Sequence, residues 1–190
     1  MSEEEDAYFR QREMERREDR RRAMAKAAKE LQEARGVAKS AGTDDMELAE
    51  RIRKLGFSGE TAAVFDLLPL ILVAWADGSV SRAERETIFT VVEHRNLARD
   101  SEAFLAVESL LEEKPSDAFI EESMDALREL MSDRPDAKTA EMIELCAAIA
   151  DASGGFLGLV KRVSDEERAL IAKIADSLGS TAQEQFRKSL

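Results

Sequence analysis

Two carboxylates seven residues apart, Asp77 and Glu84, flank a glycine turn in Asp77-Gly78-Ser79-Val80-Ser81-Arg82-Ala83-Glu84. Carboxylate oxygens at this spacing suit a hard divalent cation, and the run has the pattern of the second half of an EF-hand loop, DGxΦxxxE. The first half is missing. The positions of its first and third ligands are Val73 and Trp75, which offer no side-chain oxygen. A self-sufficient calcium loop is therefore excluded, and what remains is a half-site that needs a partner.

A second copy supplies one in altered form. Ser164-Asp165-Glu166-Glu167-Arg168 repeats the S-x-x-E-R of Ser81–Arg85, and a valine precedes both. Glu167 matches Glu84, with Asp165 and Glu166 as further carboxylates nearby. Ser153 stands where the second Asp belongs, and Asp151 lies two residues earlier, about 200° round a helix. It faces the site only if the helix unwinds at Ala150. The candidate ligands are thus Asp77, Glu84, Asp151 and Glu167, for a divalent cation such as Ca²⁺ or Mg²⁺. The same serines and glutamates also have a purely structural reading. S-x-x-E at a helix start is a capping box, in which Ser accepts from the N3 amide and Glu reaches back to the N-cap amide.

Helices must position these groups. Leu70–Glu86 joins the end of an apolar helix to the start of the next through the acidic turn. The spacing predicts one helix over about 59–76, capped by Ser58, apolar nearly all round and kinked at Pro69. Trp75, the only tryptophan, is placed to fix the turn. Further helices are expected over about 46–55, 81–96, 101–113, 116–132, 137–152, 164–178 and 181–188, punctuated by Pro115, Pro135, Gly56 and Gly179. No run alternates like a strand, so the fold class is all-α. Between the second turn and its box lies extra material, Gly154–Arg162 (GGFLGLVKR), either a loop packing back on the bundle or an exposed apolar-basic finger.

Residues 3–35 are dense in Glu and Arg, with pairs such as Asp6/Arg10, Glu13/Arg17 and Glu18/Arg22 in the favourable order. They predict a solvated helix without a sustained heptad, bearing arginines at positions 16, 17, 20, 21 and 22 among interleaved acids. Gly36–Asp45 reads as a break. The organisation is then a charged N-terminal helix or disordered extension over 1–40, and a helical domain over 41–190.

The net charge of −12 falls entirely beyond residue 35: residues 1–35 hold ten acids and ten bases, and the rest 30 acids and 18 bases. An acidic body repels the phosphate backbone, which argues against nucleic acid and for cations or basic protein surfaces. The charged N-terminus lacks the apolar core of a secretory leader. The most apolar stretch, 62–76, is too short to span a bilayer and contains Asp66 and Pro69. A single cysteine, Cys146, fits a buried structural thiol in a cytoplasmic protein. His94 is the only histidine, near a helix end with no nucleophile beside it, and there is no phosphate-binding, dinucleotide or hydrolase motif. An enzyme is not expected.

A long apolar helix ending in Ala76-Asp77-Gly78, followed by hydrophobic-S-x-x-E and repeated later, resembles the TerB-like tellurite-resistance family. Leu145–Ala150 with Ala172–Gly179 looks like that family's second half, and the resemblance covers about residues 46–185. It implies an all-helical bundle of two pseudo-repeated helix units and a metal-binding acidic surface. It also implies association with membrane-linked stress-response machinery, and similar domains occur in a DnaJ-type co-chaperone. The functional expectation is a non-enzymatic module that binds a divalent cation at its acidic turns and docks to protein partners. The alternative is a pure interaction module whose acidic turns serve only as caps.

Overall fold

Alanine, glutamate and arginine dominate the first forty residues, and all three are strong helix formers. In the computed structural model, which describes residues 3–153 and 163–190, they form a 39-residue helix, α1 (Glu3–Ala41). Ion pairs four residues apart line it: Glu13–Arg17 at 2.6 Å, Glu18–Arg22 at 3.9 Å and Lys29–Glu33 at 3.7 Å. The Asp6/Arg10 pair lies outside the described side chains. Tyr8, Phe9, Met14, Met24 and Leu31 are all exposed, so this part of α1 projects from the body by about 40 Å.

Its last turns behave differently. Ala34, Val37, Ala38 and Ala41 are buried in the common core. The break expected from Gly36 is confined to the residues after Ala41, because α1 runs unbroken through Gly36. That glycine is there for a close approach: a Cβ on it would sit 3.5 Å from the Cα of Gly59. The body's 58–60 segment thus lies almost directly on the helix backbone.

After α1 come α2 (Met46–Lys54), a 3-10 helix η1 (Thr61–Leu67), α3 (Leu68–Ala74), α4 (Arg82–His94), α5 (Glu102–Glu112), α6 (Asp117–Ser132), α7 (Asp136–Ser153), α8 (Asp165–Leu178) and α9 (Ser180–Ser189). No strand occurs among the described residues. Short polar residues start many of these helices. Asp45 Oδ1 accepts from the amides of Glu47 and Leu48, and Ser101 and Ser116 accept from Phe104 and Phe119.

The single kinked helix expected over 59–76 is instead two pieces. Pro69 has no amide hydrogen, and its ring collides with the carbonyl four residues back, here that of Phe65. An α-helix cannot run through that position undisturbed, but Pro fits the first turn of a new one. The chain winds as a 3-10 helix up to Leu67, and α3 begins at Leu68 with Pro69 in its first turn.

Every residue of α3 is buried. It is the axis of the bundle, packing on η1 and on α4, α5, α6, α7 and α8, while α7 packs in turn on α4, α8 and α9. Burying each Leu, Ile, Val or Phe side chain in such a core contributes about 1.5–3 kcal/mol. Two helix–turn–helix–helix runs, α3–α4–α5 and α7–α8–α9, therefore meet along α3 and α7. The acidic turns lie at the ends of those two helices.

Candidate metal centre

Both S-x-x-E-R segments form complete capping boxes. In α4, Ser81 Oγ accepts from the Glu84 amide at 3.2 Å, and the Ser81 amide donates to Glu84 Oε2 at 2.7 Å. In α8, Ser164 Oγ accepts from the Glu167 amide at 3.1 Å, and the Ser164 amide donates to Glu167 Oε2 at 2.7 Å. The two boxes share even their burial, with Glu84 1% exposed and Glu167 2%. Charged carboxylates are almost never buried this deeply unless paired.

The burial has an electrostatic consequence. Loss of solvent raises the pKa of Glu84 above its ordinary value, against the lowering effect of its hydrogen bonds to Ser81. The charges acting on it, those of Glu167 and Asp77, are both negative and push in the same direction as burial. The fold has therefore brought the glutamates of the two units within electrostatic reach of each other, with Asp77 close enough to add to the repulsion.

Asp77 stands at the exposed rim. Its Oδ1 accepts from the Ser79 amide at 2.9 Å, and the Ser79 hydroxyl lies 3.4 Å from the same oxygen. Gly78 holds φ at +93°, the left-handed region that side chains other than glycine avoid, and so permits the turn. Trp75 anchors the turn from behind, its Nε1 donating to the carbonyl of Leu110 at 2.9 Å. Asp151 is half-buried in the last turn of α7. That helix continues to Ser153, so the unwinding at Ala150 that would have turned Asp151 toward the site is absent. The Gly154–Arg162 insertion lies outside the described residues.

One recurrence went unassigned in the motif. The arginine after each glutamate does the same work in both units. Arg85 Nη2 donates to the carbonyl of Leu111 at 3.0 Å, and Arg168 Nη1 donates to that of Leu190 at 2.8 Å. Each thereby ties the start of one helix to the end of the next, α4 to α5 and α8 to α9, where carbonyls lack intrahelical donors. The shared arginine that ends S-x-x-E-R was the available signal.

Chemically, two buried carboxylates with a third at the rim can retain a proton or take a cation. One or two carboxylates completed by water suffice for Mg²⁺, whereas Ca²⁺ asks for six to eight oxygens. Among the described residues, no three His, Cys, Asp or Glu side chains are gathered tightly enough to enclose a metal ion as they stand. His94 lies at the far end of α4 from Glu84, about 15 Å along the axis. Its Nδ1 sits 2.7 Å from the Thr90 carbonyl, to which it donates. Cys146 is fully buried and its thiol pKa is pushed up to about 12, which leaves it inert.

Among the described residues, no helix is long and apolar enough to cross a membrane. No curated protein and no solved structure matches the chain. A family model does, over residues 60–188, and its description is tellurite resistance protein TerB.

Proposed function

The chain belongs to the tellurite resistance protein TerB family, and from that premise we propose that it is a non-catalytic cytoplasmic module. In this reading a divalent cation binds where its two acidic units meet, and the loaded module docks to stress-response partners, including membrane-associated ones. Glu84 and Glu167 provide the inner ligands. Asp77 closes the site from the rim, and Asp151 joins only if the last turn of α7 opens. The observation that carries this reading is the burial of Glu84 among negative charges. A cation there compensates both the desolvation and the repulsion.

Thermal denaturation with Ca²⁺, Mg²⁺, Mn²⁺ or Zn²⁺ tests it. A ligand at a hundred times its Kd stabilises by about 2.7 kcal/mol. In a chain of this size that is a rise in Tm of roughly 5–10 °C. The double variant Asp77→Asn/Glu84→Gln is expected to lose the rise. If all four ions leave the melt unchanged, the metal part of the proposal is wrong.

A second reading rests on a different observation, namely that both capping boxes are already closed through their carboxylates. In it the acidic turns only shape the bundle, and the acidic surface with α1 binds protein directly. That reading requires partner binding to survive EDTA and to fall when residues 1–28 are removed. The cation reading requires EDTA to abolish it.

A further inference from the structure

The cleft bounded by the C-terminal ends of α1 and α4 and the start of α7 carries charge opposite in sign to the acidic turns. At its base Asp66, with only 14% of its side chain exposed, bridges two arginines. Its Oδ1 accepts from Arg95 Nη1 at 2.5 Å and its Oδ2 from Arg134 Nη1 at 2.9 Å. Arg134 also donates through Nη2 to the carbonyl of Ala41 at 2.6 Å, which ties down the end of α1. One carboxylate thus fixes two guanidinium groups and neutralises only one.

Beside them opens a cleft of about 630 Å³, lined further by Lys138, Glu141 and His94. Lys138 and Glu141 pair with each other at 3.0 Å, so the positive excess stays with the arginines. Ala63, Val91 and Leu145 give the wall an apolar part. A guanidinium has five N–H donors in a planar fork that matches carboxylate and phosphate oxygens. Arg95 engages Asp66 through Nη1, and Arg134 engages Asp66 and Ala41 through its two terminal nitrogens, so donors remain on both.

We propose that this cleft binds an organic anion, its carboxylate or phosphate head held by Arg95 and Arg134 and its apolar body lying against Val91 and Leu145. Asp66 is the positioning residue, holding both forks ready for the head. A purely structural clamp accounts for Arg134, which reaches the end of α1. It does not account for a second arginine on the same carboxylate, or for a cleft whose size and mixed lining suit a small molecule. The inference is independent of the cation site.

Titration of the full chain followed by NMR of the arginine Nε–Hε groups and backbone amides tests it, with phenyl phosphate, benzoate and inorganic phosphate as probes. The two aromatic anions distinguish a phosphate head from a carboxylate head, and inorganic phosphate reports the head without a body. Saturable shifts are expected at Arg95, Arg134 and the residues around Ala63 and Leu145 for at least one aromatic anion. That anion should bind about tenfold more weakly to Arg95→Gln, a loss of roughly one factor of ten in Kd. Ala63→Leu, which fills the apolar wall and leaves the charges in place, should remove its advantage over inorganic phosphate. Should Arg95→Gln fail to fold by circular dichroism, Ala63→Leu decides alone. The proposal is overturned if neither aromatic anion saturates up to tens of millimolar, if binding is unchanged in Arg95→Gln, or if inorganic phosphate binds as well as phenyl phosphate.

Discussion

Replacing Glu84 by Gln separates the two things its carboxylate does. Gln keeps an oxygen for the Ser81 amide, since either residue closes a capping box, but it gives up the charge. In the wild type, burial first and then the charges of Glu167 and Asp77 raise the Glu84 pKa. The folded chain therefore holds that proton to higher pH than the unfolded chain, whose glutamates titrate near about 4.3. Stability contributed below that value is lost as pH rises through the folded pKa. The hydrogen bonds to Ser81 oppose this, and so does the helix dipole at the start of α4, by about 0.3–1 kcal/mol. At Glu84 burial and like charge outweigh the hydrogen bonds to Ser81.

The Gln variant should accordingly match the wild type near about pH 4 and become the more stable of the two as pH rises. Each kcal/mol of that gain appears as roughly 2–4 °C in Tm. Glu84→Ala removes the oxygen as well and leaves the part-buried Ser81 amide without its partner. That loss costs about 1–3 kcal/mol, so the Ala variant should melt below the Gln variant at every pH. The assay is calorimetric melting in EDTA across a pH series. A Gln variant whose advantage does not grow with pH would refute the electrostatic account of the site.

Four other outcomes follow. Ser123→Ala should leave stability unchanged or raise it by up to about 1 kcal/mol in chemical denaturation, because the buried Ser123 hydroxyl has no hydrogen-bond partner among the described residues. Deleting residues 1–28 should leave Tm within about 2 °C of wild type, whereas deletion through residue 41 should abolish the cooperative transition, since it strips Ala34, Val37, Ala38 and Ala41 from the core. Trp75→Phe should cost about 1 kcal/mol in denaturation through loss of the bond to Leu110. Cys146 should resist a thiol reagent in native buffer and react at once in denaturant, as burial and a pKa pushed up to about 12 require.

Local chemistry was legible in the sequence, and long-range meeting was not. Both capping boxes act over three residues, so their letters sufficed, as did Gly78 for the turn. Two local readings went astray, one to a tertiary contact and one to the local steric demand of proline. Gly36 looked like a helix breaker, yet it serves a close backbone crossing against Gly59 inside a continuous helix. Pro69 looked like a kink within one helix, yet it opens a new one after a 3-10 segment. The repeat suggested that the two units face each other, but no periodicity could bring Glu84 beside Glu167, 83 residues away. The partners of Arg85 and Arg168 lie 26 and 22 residues downstream, and those of Asp66 lie 29 and 68 residues away. Such pairings depend on how helices pack, which the pattern of a single chain does not carry.

A cation shared by the two acidic units, as proposed, would be reported directly by the amides of Ser81 and Ser164. Each donates to the glutamate of its own box, at 2.7 Å in both, so a cation drawing on Glu84 or Glu167 must move the corresponding resonance. On titration of the full chain with Mg²⁺ and then Ca²⁺, both amides should shift along one saturation curve with a single Kd, and Glu84→Gln should abolish the response at Ser164 as well as at Ser81. Two unrelated curves, a response confined to one unit, or no saturable shift at either serine would contradict it.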